Sequence, residues 1–458
     1  MAQPGSSAQA TQALAIVLLG TSVAPLDSAV NAAFPAITAA FSLDVASIRW
    51  VVISYMVAFS SLVIVSGRLS DLFGYRRIFG AGLLVSAAAF LACGLAPSYA
   101  WLLAARVLQG VGVALVLGAG PALALSIYPE TERTRVLGRY GAVFALGLAA
   151  GPVLGGALVD FLGWQAVYLA RVPLALAAWL LLGRVPVVQL KGGRSFDAAG
   201  SLLLATWTGS LLLAIALPGA IALGFALLAA ASFAVFALRE ARSRHPMIRL
   251  ALFRSAAFCV PNLASVAVHF AGFVIFLLGP YLFVRELGLS AQLAGVLLAL
   301  GPGGAAIGSV LAGRLAMRFG ARRVAFAGML LDFAGLAIAS SWDGTSSVVA
   351  IGFWLALQGM GIGLFTVAYV DVVIAALPEE ERGVASSLTS FTRTLGVIGC
   401  AALASALFGA AESKALAESA AASTAFLHGY AFAFSSVAAG VAVFLFLSLL
   451  RPKVWFSK

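Results

Sequence analysis

Apolar residues run through this chain in long blocks separated by short polar joints. Cutting at charges, Gly/Pro pairs and turn residues gives fourteen blocks, near 14–40, 47–67, 77–96, 100–127, 136–160, 164–184, 198–216, 219–238, 257–284, 291–313, 324–341, 346–377, 383–409 and 424–450. A bilayer core about 30 Å thick takes about 20 residues of helix, and these blocks have that length. They are continuous instead of alternating, so they predict spanning helices and not the strands of a β-barrel. The narrowest joint is Leu217-Pro218-Gly219. The pattern predicts an all-α polytopic membrane protein. The opening MAQPGSSAQATQ has no basic segment, and the first block is long and holds an acid. It therefore reads as a span and not as a cleaved signal peptide.

Composition agrees with the pattern: 62% of the 458 residues are hydrophobic and 10% charged, against about 25% charged in soluble domains. The net charge of +11 raises the question of nucleic acid, and the placement of the charge answers it. Most Lys and Arg lie in the loops after even-numbered blocks or in the C-terminal tail. Arg49, Arg285 and Lys414 lie in loops after odd-numbered ones, and Arg106, Arg171 and Arg393 stand inside blocks. The positive-inside rule then places the even loops and both termini in the cytoplasm, where the cations meet anionic headgroups. No basic patch sits on a soluble module, so no nucleic-acid partner is expected. Cys93, Cys259 and Cys400 are far apart in sequence, which offers neither a disulfide framework nor metal-ligand spacing.

An eleven-residue segment occurs twice. Gly67-Arg-Leu-Ser-Asp-Leu-Phe-Gly-Tyr-Arg-Arg77 follows the second block and Gly313-Arg-Leu-Ala-Met-Arg-Phe-Gly-Ala-Arg-Arg323 the tenth. Seven of the eleven positions are identical. Repeats around a central site mark secondary transporters. The register predicts a six-helix bundle over 1–184, an inserted two-helix segment over 185–256, and a second six-helix bundle over 257–458. The two bundles would rock against each other in alternating access.

On these residues the chain resembles the major facilitator superfamily, and within it the fourteen-span drug:proton antiporters. The 67–77 loop is similar to the superfamily's G-x-L-x-D-x-x-G-[RK]-[RK] signature, with Tyr75 where a basic residue is often found. Leu26-Asp-Ser-Ala-Val-Asn-Ala-Ala-Phe-Pro35 resembles the first-span motif. Arg106-Val-Leu-Gln-Gly-Val-Gly112 resembles the fourth-span motif. Gly147-Leu-Ala-Ala-Gly-Pro-Val-Leu-Gly-Gly156 resembles the fifth-span antiporter motif. Phe196-Asp197 and Arg382-Gly383 match as well. The resemblance implies a major facilitator fold, exchange of a small molecule for protons, and a role for Asp27 and Arg106 in it.

The residues carry chemistry of their own. Ionisable groups at membrane depth cost about 2.5–3.5 kcal/mol on insertion scales and mark functional sites. Asp27 is such a group, placed to exchange a proton or to pair with a cationic drug, or else to be a partner for Arg106 or Arg393. Asn31 stands one turn from it and Gln109 one turn from Arg106. Asp371 in the twelfth block is the second candidate for proton or cation binding. Arg393 reads as an anchor, and His269 titrates near neutrality in its unperturbed state. Arg171 and Asp332 read as structural. Gly67, Asp71, Gly74, Arg76 and Arg77 form a candidate conformational latch. Gly147, Gly151, Pro152, Gly155 and Gly156 form a small-residue packing seam. Tyr55, Phe273, Tyr281 and Tyr369 are candidates to stack on a cation. Trp50, Trp101, Trp164 and Trp342 sit near block ends, as an interfacial belt predicts.

No G-x-x-x-x-G-K-[ST], G-x-S-x-G or H-E-x-x-H sequence occurs, so neither ATP hydrolysis on a P-loop nor an enzyme activity is expected; no cofactor or metal is implied. The expectation is a proton-coupled efflux antiporter for lipophilic or cationic drugs, acting as a monomer. The alternative is a carrier of an anionic or zwitterionic metabolite, with Arg171 or Arg393 as its clamp. Ala/Gly/Leu/Arg-rich usage with four Lys suggests a high-GC bacterium and its inner membrane.

Overall fold

The computed structural model describes residues 7–186, 198–242, 255–376 and 384–456, and every regular element among them is helical. The longer helices are α1 (Ser7–Ser22), α4 (Arg49–Phe73), α5 (Tyr75–Gly94), α6 (Tyr99–Ser126), α7 (Arg133–Leu162), α9 (Arg171–Leu181), α10 (Ala198–Ala216) and α11 (Gly219–Arg242). After them come α12 (Ala256–Tyr281), α13 (Ala291–Phe319), α14 (Ala321–Ala339), α15 (Val348–Ala376), α16 (Val384–Ala417) and α17 (Ala422–Leu449). The short helices α2 (Ala29–Ala32), α3 (Phe34–Ala40), α8 (Ala166–Leu169) and α18 (Lys453–Phe456) complete the set.

Among the described residues thirteen helices are long and apolar enough to cross a bilayer. The eleventh block of the sequence, now α14, is the one left out. Arg322, Arg323 and Asp332 together exceed the charge that such a helix ordinarily carries, yet Asp332 is completely buried. The fourteen-span pattern therefore holds, with one helix polar for an internal reason.

The chain divides into two compact units. The first comprises Met1–Ile37, Trp50–Ala214 and Leu223–Phe236; the second comprises Thr38–Arg49, Ile215–Ala222 and Ala237–Lys458. The sequence repeat has a structural counterpart within each. In the first unit α4 ends at Phe73 and α5 starts at Tyr75, with Gly74 between them at φ 96°. In the second, α13 ends at Phe319 and α14 starts at Ala321, with Gly320 at φ 88°. L side chains avoid that region, so the repeated glycine is a backbone requirement of the tight turn. Further along, Gly82 of α5 and Gly328 of α14 occupy equivalent places in the repeat. Each packs so tightly on the next helix that a Cβ would strike its backbone, at Val116 and Phe365 respectively.

In the first unit the opening span is broken. Its α-helical pairing stops at Ser22, and Pro25–Ser28 form one 3₁₀ turn before α2. The small-residue seam of α7 is what receives this break. Gly147 faces Pro25, Gly151 faces Ser28, and Gly155 lies on the backbone of Ala29. The Ser28 hydroxyl donates to the Leu148 carbonyl at 3.0 Å. Gly147, Gly151, Pro152, Gly155 and Gly156 are all buried, and Pro152 lies inside α7 without ending it. The antiporter-like motif thus seats the turn that carries Asp27.

The tryptophans follow the belt only in part. Trp101 is half exposed, whereas Trp164 and Trp342 are buried, packed into the protein and not presented to headgroups.

Candidate functional site

Asp27, Arg106, Gln109 and Arg171 come together inside the first unit from three separate parts of the chain. The 3₁₀ turn presents the Asp27 carboxylate, the middle of α6 supplies Arg106 and Gln109, and the start of α9 supplies Arg171. Arg106 grips Asp27 in a fork, with Nη1 on Oδ1 at 2.7 Å and Nη2 on Oδ2 at 3.0 Å. Arg171 Nη1 donates to the same Oδ1 at 2.8 Å, and Gln109 Nε2 at 2.7 Å. Gln109 also accepts from Arg106 through Oε1 at 2.9 Å, which fixes the orientation of its amide.

The guanidiniums are held from behind as well. Arg106 Nε donates to the Val51 carbonyl of α4 at 2.9 Å, and its plane lies 4.6 Å from the Tyr55 ring centre. Arg171 Nε donates to the Val167 carbonyl at 3.1 Å, and its carbon lies 4.4 Å from the Phe90 ring and 5.3 Å from Tyr168. Both arginines are buried, 2% and 3% exposed, while Asp27 is 13% exposed. Desolvated cation–π contacts of this kind contribute about 2 kcal/mol. Two guanidiniums against one carboxylate leave the cluster with one positive charge in excess. Arg171 Nη2 is buried and has no hydrogen-bond partner among the described residues.

Arg171, read from the sequence as structural or, in the alternative function, as a clamp, pairs with Asp27. It lies 144 positions from Asp27, so no local spacing joins them; the available signal was a cation in the middle of a span with no acid on its own helix. Tyr55, read as a stacker for a cation, stacks on one of the chain's own. Asn31 is half-buried and makes none of these contacts.

The second unit holds a neutral polar cluster. Tyr369 of α15 donates to Asn262 Oδ1 of α12 at 2.7 Å, and the Ser265 and Thr392 hydroxyls share a hydrogen bond at 2.9 Å. His269 Nδ1–H donates to the Ser265 carbonyl at 2.7 Å, and Arg393 lies on α16. Asp332 of α14 is elsewhere in this unit. Gln358 Nε2 donates to its Oδ1 at 3.0 Å, while Oδ2 is buried without a partner among the described residues. Asp371 is exposed near the end of α15.

Of the candidate latch residues, Gly67 and Asp71 lie in the last turns of α4, Gly74 between the helices, and Arg76 and Arg77 at the start of α5. Tyr75 donates its hydroxyl to Asp71 Oδ1 at 3.0 Å, and Arg76 Nη1 donates to the Val185 carbonyl at 3.0 Å. Gly67 faces the Gly118 carbonyl of α6 at the distance of ordinary contact for an added Cβ. Arg77 is exposed. Among the described residues no group of His, Cys, Asp and Glu is arranged to hold a metal ion.

Comparison with known proteins matches the chain to one family. The family model described as Major Facilitator Superfamily matches residues 16–258 and 262–458. A riboflavin transporter of Clostridioides difficile is 27% identical over 388 residues, covering 83% of this chain and 84% of that protein. A multidrug resistance protein of Mycobacterium tuberculosis is 33% identical over 388 residues, covering 82% and 72%. A tetracenomycin C resistance and export protein of Streptomyces glaucescens is 32% identical over 395 residues, covering 84% and 73%. Among solved structures, an inward-facing bacterial homologue of the human lysosomal transporter Spinster superposes with a TM-score of 0.70 at 17% identity, covering 98% of both chains. That likeness shows the fold.

Proposed function

Because the chain belongs to the Major Facilitator Superfamily, we propose that it is a proton-coupled exporter of small organic molecules, working as a monomer by alternating access in a bacterial inner membrane. In this reading α10 and α11 are the inserted pair and both termini are cytoplasmic. The observation that carries the reading is the cluster of Asp27 with Arg106, Arg171 and Gln109. A carboxylate held by three hydrogen bonds from two buried cations and a fourth from Gln109 is a bistable element. When Asp27 takes a proton, the two guanidiniums lose their counterion and become available to another acceptor. When it gives the proton up, it recaptures them. Proton and cargo then compete for one set of groups, which is the requirement for exchange. The multidrug and antibiotic exporters among the relatives support export as the direction.

Two charge classes of cargo fit an exporter. A lipophilic cation would need an acid, and Asp27 is already paired with two guanidiniums while Asp371 is exposed near the end of α15. The excess positive charge favours the second class, a molecule that carries an anionic or strongly accepting group, for which forked guanidiniums are well suited.

Counterflow in proteoliposomes tests the assignment without a pH gradient. Vesicles loaded with an unlabelled aromatic acid, its neutral amide or an aromatic amine are diluted into labelled probe of the same kind. Accumulation of the acid, reduced at least tenfold by Arg171→Gln, supports the anionic class. Accumulation of the amine alone returns the assignment to lipophilic cations, and no accumulation of any organic probe refutes the exporter reading for these classes.

A further inference from the structure

A cleft of about 860 Å³ opens in the first unit at the ends of α4, α5, α6 and α9, and Asp27, Arg106, Gln109 and Arg171 are not among its lining. Its volume lies within the about 300–1,000 Å³ of small-molecule sites. Its lining includes Arg76 and Arg77, and no acid. Arg76 spends one hydrogen on the Val185 carbonyl, and Arg77 is exposed without a partner among the described residues. Beside them part of the wall is apolar and turned outward, with Leu180 71% exposed, Phe73 56% and Trp179 39%, while Tyr75 and Ser126 add polar edges. Cations therefore stand directly beside hydrocarbon that water would not tolerate. The positive-inside arrangement puts this end of the unit at the cytoplasmic leaflet.

From this juxtaposition we propose that the cleft binds one anionic phospholipid. Its phosphodiester lies on Arg76 and Arg77, and its acyl chains run along Phe73, Trp179 and Leu180. Basic pockets between spanning helices on the cytoplasmic side suit such headgroups, and Trp179 offers an apolar ring with a polar edge at the boundary between chain and headgroup. A free phosphate would satisfy the arginines but leave the apolar wall unused. A smaller cleft of about 510 Å³ in the second unit repeats the pattern, lined by Arg451 and Lys453 beside Ala256 and Ala257 with no acid. Binding at Arg76 also bears on conformation, because that residue ties the α4–α5 turn to the chain following α9. The proposal stands independently of what the protein carries.

Native mass spectrometry on the delipidated full chain in detergent tests it. The probes are phosphatidylglycerol, phosphatidylcholine with the same acyl chains, glycerophosphoglycerol and inorganic phosphate. One phosphatidylglycerol should bind at least tenfold more tightly than phosphatidylcholine. Arg76→Gln with Arg77→Gln should weaken it about 30-fold, the factor two cations contribute near an anionic surface. The pair Arg76→Lys and Arg77→Lys, which keeps charge and fold, should retain most of the binding. Exposed Leu180→Gln should weaken the lipid, and Arg133→Gln with Arg135→Gln at another basic joint should change nothing. Equal binding of the two lipids, binding of glycerophosphoglycerol or phosphate as tight as that of the lipid, or an equal loss at the control pair would each overturn the proposal.

Discussion

Asp27 is the one acid against two buried guanidiniums, so its removal is the severest single change in the cluster. Asp27→Asn leaves both arginines in low dielectric without a counterion, and losing one partner of a buried pair costs about 3–5 kcal/mol. Arg171→Gln leaves the forked Arg106–Asp27 pair intact and should cost less. Thermal unfolding in detergent is expected to rank Asp27→Asn well below Arg171→Gln. The double variant should fall short of the summed losses by about 0.5–3 kcal/mol, because the second change removes a charge that the first had stranded. Strict additivity would mean the two side chains do not interact. The sequence made part of this visible. Asp27 and Arg106 stood out as expensive residues at membrane depth, with mutual pairing one of the readings. Arg171 stood out too, but its pairing with Asp27 did not, since only the folding of α9 beside the broken first span brings it to the same oxygen.

At the scale of elements the glycines separate into those that packing or backbone demands and those it does not. In α7, a Cβ on Gly155 would lie 2.8 Å from the Ala29 Cα. Gly155→Ala should therefore displace the turn carrying Asp27, lowering stability by about 1–3 kcal/mol, the usual cost of overpacking, and lowering transport with it. Gly138 on the same helix has open space around it. Gly138→Ala should be neutral or gain up to about 1 kcal/mol from helix propensity. Gly74→Ala and Gly320→Ala should each cost about 1–2 kcal/mol from the left-handed backbone alone. Melting temperatures of the four variants check all of this; a harmless Gly155→Ala would detach the seam from the site. The spans were legible because lipid requires about 20 apolar residues in a row, and the repeat because its turn needs glycine twice. The break at Pro25–Ser28 was not legible, since Pro25 alone does not say where helical pairing stops; the facing glycines of α7 show how it is accommodated.

For the whole molecule, the charge pattern makes a topological claim. In a background with Cys259→Ser, where Cys93 and Cys400 are buried, Arg133→Cys and Lys453→Cys should react with a membrane-impermeant maleimide only from the cytoplasmic side. Ser290→Cys and Asp343→Cys should react only from outside; the reverse would invert the protein and its direction of transport. The central claim is that proton and cargo compete at Asp27. Its most direct test is a proteoliposome with an acidic lumen and a trapped pH dye, to which aromatic acids, their amides and aromatic amines are added in turn. The account predicts that a transported compound makes the lumen more alkaline with the wild-type protein, and that Asp27→Asn abolishes the proton signal while the protein remains folded and still exchanges labelled cargo in counterflow. An Asp27→Asn signal equal to wild type would place the coupling proton elsewhere and contradict the account.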